Sequence, residues 1–197
     1  MTITTLAVLV VNNLPGDVAR MCEHFESLEK MTCRTLRPNE LRHAGGVWDA
    51  ILLTGTDMPP QRHRGLYDRE MNMIQVASCP VLAICGGHQI LALAFGGSVG
   101  LLDEPLYGRV RVRTRQPDPI VHQLEGDFTV FTKHKYYVQE VPEEFDVVAT
   151  DTTIDSAYII KHQQRPLYGV QFHPERRNQG TQILRNFFAL SRKMAPG

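Results

Sequence analysis

One of the four cysteines in the sequence has neighbours that set it apart from the other three. Cys85 stands in Ala83-Ile84-Cys85-Gly86-Gly87-His88-Gln89, after the apolar run Pro80–Ile84 and before the apolar helical stretch Gln89–Phe95. A nucleophile on a sharp turn between a strand and a helix needs small neighbours, so that the chain can pass closely. Gly86 and Gly87 meet that need. The first N–H groups of a helix have no partner within it, and the helix dipole favours negative charge there. Such a position suits a thiolate and can hold a developing oxyanion. Taken alone, the segment reads equally well as a buried structural cysteine ahead of a Gly-rich loop.

A cysteine nucleophile needs a base, and the base needs a group to orient it. Tyr168-Gly169-Val170-Gln171-Phe172-His173-Pro174-Glu175 contains both residue types. In extended backbone, residues i and i+2 project to the same side. His173 and Glu175 are therefore expected side by side, with Glu175 fixing the imidazole tautomer and the other ring nitrogen facing Cys85. By itself His-Pro-Glu also reads as an exposed strand end. Together with the cysteine turn it points to nucleophilic acyl chemistry.

The elements that must carry these residues alternate in type. Leu6–Val11 is a continuous apolar run, as in a central strand covered on both faces. Val18, Met21, Cys22, Phe25 and Leu28 recur at helical spacing, which predicts a helix over Asp17–Lys30. Strands are expected at Thr32–Leu36, Ala50–Thr54 and Pro80–Ile84. Leu66, Met73, Ile74 and Ala77 predict a helix between the last two, and Gly96-Gly97 stops the helix after Cys85. This order predicts an α/β fold: a single doubly wound, mostly parallel sheet flanked by helices, flavodoxin-like. The shorter runs Gly108–Thr114, Phe128–Phe131, Phe145–Ala149, Tyr158–Lys161 and Leu167–Gln171 predict a small antiparallel extension. A last helix over Thr181–Leu190 is expected to bury Ile183, Leu184, Phe187 and Phe188. Ligands of such sheets sit beyond the carboxyl ends of the strands, here after Thr54, Ile84 and Phe172.

The composition narrows the function classes. With 197 residues, one domain spanning 1–197 is expected. Lys plus Arg and Asp plus Glu are both 21, which excludes a globally basic nucleic-acid binder. The apolar run near the start is far too short to span a bilayer, and no basic leader precedes it, so a cytoplasmic protein without membrane partners is expected. Cys22, Cys33, Cys79 and Cys85 form no CxxC pair, and His24, His43, His63, His122 and His162 show no ligand spacing; no metal site is expected. His88 reads as structural or helix-capping. Arg109, Arg111, Arg113 and Arg115 alternate with Val110, Val112 and Thr114, which puts four guanidinium groups on one strand face. They read either as charges protecting a sheet edge or as a docking stripe for an acidic partner or phosphorylated ligand.

With these segments in view, the sequence resembles the class I (triad) glutamine amidotransferases over nearly its whole length. The resemblance is carried by PVLAICGGHQ at 80–89, LALAFGGSVG at 91–100 and PLYGVQFHPE at 166–175, and supported by QGTQILRNFF at 179–188. HKYYVQEVPEEFDVVATDT at 134–152 is similar to the corresponding segment of stand-alone glutaminase subunits of GMP synthetases. The resemblance implies Cys85 as nucleophile, His173 as general base and Glu175 as its orienter. It implies Gly86 with the Gly55-Thr56 loop as oxyanion hole, and Gln89 with His134, Lys135 and Tyr136 as substrate-binding positions. The implied reaction is hydrolysis of L-glutamine through a cysteinyl thioester, without metal or organic cofactor. Without a GxxxxGK[ST] motif, the ammonia acceptor is expected on a separate ATP-dependent synthetase subunit.

Three segments depart from the family pattern. Ala83 replaces a glycine, Lys135-Tyr136 replace Gly-Asp after His134, and Gly55-Thr56-Asp57 stand where Gly-Gly-Pro is usual. Thr56 still offers a backbone N–H. Asp57 opposes an oxyanion unless it points away, or else binds a substrate amine. That loop favours a second reading, a γ-glutamyl hydrolase acting on γ-glutamyl amides with the same triad. A third reading is a catalytically silent regulatory or binding protein, against which the three intact triad residues argue.

Overall fold

The structure, a computed structural model, describes residues 5–16, 18–176 and 178–195. The chain alternates strand and helix through β1 (Leu6–Val11), α1 (Ala19–Leu28), β2 (Met31–Leu36), β3 (Ala50–Leu53), α2 (Arg64–Val76), β4 (Val81–Ile84) and α3 (Gly86–Ala94). Five strands follow: β5 (Ser98–Thr114), β6 (Asp127–Glu140), β7 (Phe145–Asp151), β8 (Ala157–His162) and β9 (Leu167–Val170). Helix α4 (Thr181–Met194) comes last. One sheet holds all nine strands in the order β2-β1-β3-β4-β9-β8-β7-β5-β6. The first five in that order are parallel, and β8, β7, β5 and β6 continue it antiparallel. The expected doubly wound sheet with an antiparallel extension is what the chain forms. Asp17, the first residue of the first expected helix, lies outside the described residues.

Apolar runs such as Leu6–Val11 work because both sheet faces are covered. Val8 and Val10 join the core under α1 and α4 with Phe25, Ile183, Phe187 and Phe188. Leu9 and Val11 join the opposite core under α2 and α3 with Tyr67, Ile74, Ile90 and Leu91. Helix α2 differs from its expected face. It buries Tyr67, Glu70, Met71 and Ile74, while Leu66 is 56% exposed. Two polar-tipped residues, Tyr67 and Glu70, complete the i, i+3, i+4, i+7 stripe that a count of aliphatic residues alone misses. No described helix is long and apolar enough to cross a membrane.

Strands β5 and β6 are far longer than their apolar runs. The two form a hairpin whose register shifts between Leu101 and Leu106. Asp103, Glu104 and Pro105 interrupt the alternation there and hide the strand in the sequence. The four arginines do line one face of β5, with Val110 and Val112 buried between them. They do not protect a sheet edge, because β5 lies between β7 and β6. Arg113 instead forms a two-pronged pair with Asp127, at 2.9 and 3.2 Å. Arg115 pairs with Asp155 and donates to Thr150. Carboxylates of the same chain thus meet part of the stripe that its sequence presents as a docking surface.

For function, the decisive pairing is β4 with β9. Ala83 lies opposite Gly169 and Ile84 opposite Val170 in parallel register. Parallel neighbours end on the same side of the sheet, so the residues after Ile84 and those after Val170 meet there.

Candidate active site

Cys85 is the N-cap of α3 and holds φ 52° and ψ −106°. A non-glycine residue with such a backbone is strained, which marks functional turns. Two ties hold the turn: Cys85 N–H donates to Val170 O at 2.7 Å, and Gln89 N–H donates to Cys85 O at 3.3 Å. The glycines that follow are steric necessities. A Cβ on Gly86 would stand 2.6 Å from Thr56 N and 2.5 Å from Thr56 Cγ2; one on Gly87 would stand 2.9 Å from Leu53 O. The chain after β3 crosses directly over the start of α3. Gly86→Ala is therefore expected to push the Thr56 backbone away. The change should lower turnover about 100-fold, the effect of losing one oxyanion donor, with thiol alkylation of Cys85 retained. Steady-state kinetics and iodoacetamide labelling check it.

His173 follows β9, and its N–H donates to Phe131 O at 2.9 Å. Its Nδ1 lies 2.7 Å from Glu175 Oε1. The expected neighbours are together, though not by the expected route. The backbone is not extended there: Arg176 N–H donates to His173 O at 3.2 Å, closing a turn that swings Glu175 back to the ring. Asn178 Nδ2 donates to His173 O, and the Arg176 guanidinium stacks 4.6 Å over Phe131. With Nδ1 on Glu175, Nε2 is left for the sulfur. Burial by itself would lower the imidazole, but its contacts with Cys85 and Glu175 outweigh that and raise it to about 10. The two other histidines near the turn behave oppositely. Burial pushes His88 down to about 3 and His134 to about 4, so both are neutral. His88 is structural: its Nε2 lies 3.2 Å from Ala157 O, and its Nδ1 fills the place a Cβ of Gly169 would take.

The Gly55-Thr56 loop closes the site from β3. A Cβ on Gly55 would touch Cys85 Cβ at 3.4 Å and His173 Cε1 at 3.8 Å, so Gly55 sits against both. Among the described residues, the Gly55 and Thr56 N–H groups donate no hydrogen bond, and they flank the start of α3. Asp57 is exposed and lines the cleft on the far side of the loop, with Asn13, Tyr67 and Arg69. That cleft is not lined by Cys85, Gly86 or His173.

The substrate-binding positions divide. Gln89 donates from Nε2 to Tyr136 O at 2.8 Å and lies 3.5 Å from Gln171 Oε1. His134 is saturated: Nδ1 donates to Tyr136 O at 3.0 Å, and Nε2 accepts from the Tyr158 hydroxyl at 2.9 Å. It orders β6 behind the site rather than offering a free nitrogen. Lys135 is exposed and alternates to the other side of β6 from buried His134. Tyr136 contributes its carbonyl. Two neighbours of the sulfur carry no mark in the sequence, Lys133 O at 3.8 Å and Gln171 Nε2 at 3.9 Å. Gln171 lies just ahead of His-Pro-Glu, and its apolar surroundings are its only signal.

Glu70 of α2 is fully buried behind the loop. Burial raises its carboxyl from 4.5 to about 7, against the lowering effect of the Asn13 amide. Between those values the folded state holds a proton that the unfolded state releases, so stability falls as pH rises from 4.5 to 7 and levels beyond. This one group is worth up to about 3 kcal/mol over that interval. Glu70→Gln should flatten the dependence, raising the urea midpoint at pH 8 more than at pH 5.

A profile of the family described as "Glutamine amidotransferase class-I" matches residues 25–190. The chain belongs to that family. Among class-I glutamine amidotransferases, the glutamine-hydrolyzing GMP synthase subunit of Methanopyrus kandleri is 36% identical over 93% of this chain and 97% of its own. Its namesake from Methanocaldococcus jannaschii is 31% identical over 86% and 88%. Anthranilate synthase component 2 of Thermococcus kodakarensis is 30% identical over 94% and 98%. A crystal structure from Thermoplasma acidophilum, of a protein assigned as the same GMP synthase subunit, superposes with a TM-score of 0.88 at 25% identity. The match covers 97% of this chain and 96% of that one. The chain is thus an amidotransferase of the glutaminase type, as the sequence resemblance implies.

Proposed function

We propose that the chain works as one glutaminase unit in which Cys85, His173 and Glu175 hydrolyse L-glutamine to glutamate and ammonia. The observation that carries this is the pairing of a strained Cys85 at a helix start with a His173 ring fixed on Glu175 at 2.7 Å. The Cys85 sulfur attacks the side-chain amide carbon, and the negative carbonyl oxygen turns to the N–H groups of Gly86 and Thr56. The C–N bond then breaks as His173 gives its proton to the leaving nitrogen, which departs as ammonia. Water, deprotonated by His173, attacks the γ-glutamyl thioester and frees glutamate and the thiol. Glu175 keeps the imidazole in one tautomer and stabilises its charged form throughout.

We further propose that the ammonia serves a separate synthase subunit, since the full-length relatives are themselves subunits or components of synthases. Four free cysteines fit a reducing compartment such as the cytoplasm. Asp57, which stands in the altered loop that favours a γ-glutamyl hydrolase reading, lines the neighbouring cleft, and Cys85 and His173 are not among that cleft's lining residues. The test compares ammonia release from L-glutamine with amine release from γ-glutamyl alkylamides. Glutamine is expected to be the better substrate by kcat/KM. Preference for the alkylamides would replace this reading with the hydrolase.

A further inference from the structure

The oxyanion loop has a threonine where the family usually has glycine, and its outer side is open. A cleft of about 830 Å3, lined by Asn13, Thr56, Asp57, Met58 and Tyr67 among others, lies behind it. Packed side chains therefore do not back the loop on that side. Hydrogen bonds from one helix do. The Tyr67 hydroxyl lies 2.8 Å from Thr56 Oγ1 and donates to Met58 O at 3.0 Å, while Met58 N–H donates to Thr56 Oγ1 at 3.1 Å. One turn along the same buried face, Glu70 Oε2 accepts from Asn13 Nδ2 at 2.9 Å. Asn13 N–H donates to Thr54 Oγ1 at 2.9 Å, and Thr54 Oγ1 donates to Gly55 O at 3.0 Å.

We infer that Tyr67 and Glu70 are positioning residues for the oxyanion loop: Tyr67 holds Thr56 directly, and Glu70 holds Thr54 through Asn13, so that the Thr56 N–H stays beside Gly86. The inference rests on the glutaminase reading. Neither side chain forms a hydrogen bond with Cys85, Gly86 or His173 among the described residues, so both act through the loop. The arrangement also gives the family departure a physical reason. Glycine takes a loop conformation cheaply but offers no handle, whereas the Thr56 hydroxyl lets α2 fix the loop from outside. Glu70 is fully buried, with one oxygen lacking a hydrogen-bond partner, and its bond to Asn13 is its link to the loop.

The test uses the full chain and L-glutamine. Tyr67→Phe and Glu70→Ala are expected to lower kcat about 10- to 100-fold, the scale of a displaced catalytic group, with KM within about 2-fold. Glu70→Gln, which still accepts the Asn13 bond, should restore kcat. In a Thr56→Gly background, Tyr67→Phe should lower kcat less than in the wild type, since of its two loop bonds only the one to Met58 O is left to lose. Amide hydrogen exchange over residues 54–58 should quicken in Tyr67→Phe and Glu70→Ala. Unchanged kcat, or lowered kcat with exchange over 54–58 as in the wild type, would overturn the inference. If the wild type released no ammonia, the glutaminase reading would fall instead. The exchange rates would still decide whether these residues hold the loop.

Discussion

Cys85→Ala is expected to lower glutamine turnover by about 10^4-fold or more, the scale seen when a covalent nucleophile is removed from a triad. The chemistry leaves no substitute. In the proposed mechanism both half-reactions pass through a bond to the Cys85 sulfur, and among the described residues the other cysteines lie elsewhere, with Cys22 on α1 and Cys33 on β2. The substitution removes one sulfur from a residue that is 7% exposed and leaves the two backbone ties of the turn in place. The melting temperature should accordingly stay within a few degrees of the wild type. A coupled glutamate assay and a thermal melt, run on the same preparations, separate lost chemistry from lost fold.

The second large effect concerns Glu175. Glu175→Gln should lower kcat about 10^3- to 10^4-fold, because an amide neither fixes the imidazole tautomer nor matches the charge of the ring. It should also bring the His173 ring down from about 10 towards the ordinary 6.5 by removing one of the two contacts that raise it. Because the folded value lies above the unfolded one, the stability from the Cys85 and Glu175 contacts together is fully present below about 6.5. It is lost as pH rises through 10. The variant should lose the Glu175 part of that stabilisation at neutral pH, where the wild type keeps it. NMR titration of the His173 ring follows the first effect, and urea midpoints at pH 7 and pH 10 follow the second.

Much of the fold can be read from the sequence, because the parallel half carries apolar runs of strand length separated by helical stripes. The strands at Leu6–Val11 and Pro80–Ile84 and the helix burying Phe187 and Phe188 appear within a residue or a few of their expected places. What stays hidden has local causes. Asp103, Glu104 and Pro105 mask the first half of β5, so a long hairpin reads as a short run. Leu66 looks like core by type, yet the stripe of α2 is set by Tyr67 and Glu70, whose polar ends have partners behind the oxyanion loop.

The site divides in the same way. The Cys85 turn is legible only in company: a cysteine followed by two glycines between a strand and a helix also suits a structural cysteine, and the His-Pro-Glu segment tips the reading. The closeness of His173 and Glu175 is legible too, but its cause is not: a hydrogen-bonded turn replaces the extended strand that the i, i+2 rule assumes. His134 looks free to bind a substrate because its partners, Tyr136 O and Tyr158, lie on its own strand and a distant one. The fate of Asp57 depends on which way one loop faces, and no residue pattern encodes that.

In the mechanism proposed for this chain, glutamine passes through a covalent bond to Cys85. Acid quenching of the enzyme during turnover of L-glutamine, followed by peptide mass spectrometry, tests it most directly. A γ-glutamyl group is expected on the peptide containing Cys85, absent from Cys85→Ala and accumulating in variants slowed at the water step. Glutamate release at full rate with no adduct on Cys85, or undiminished release by Cys85→Ala, would contradict it.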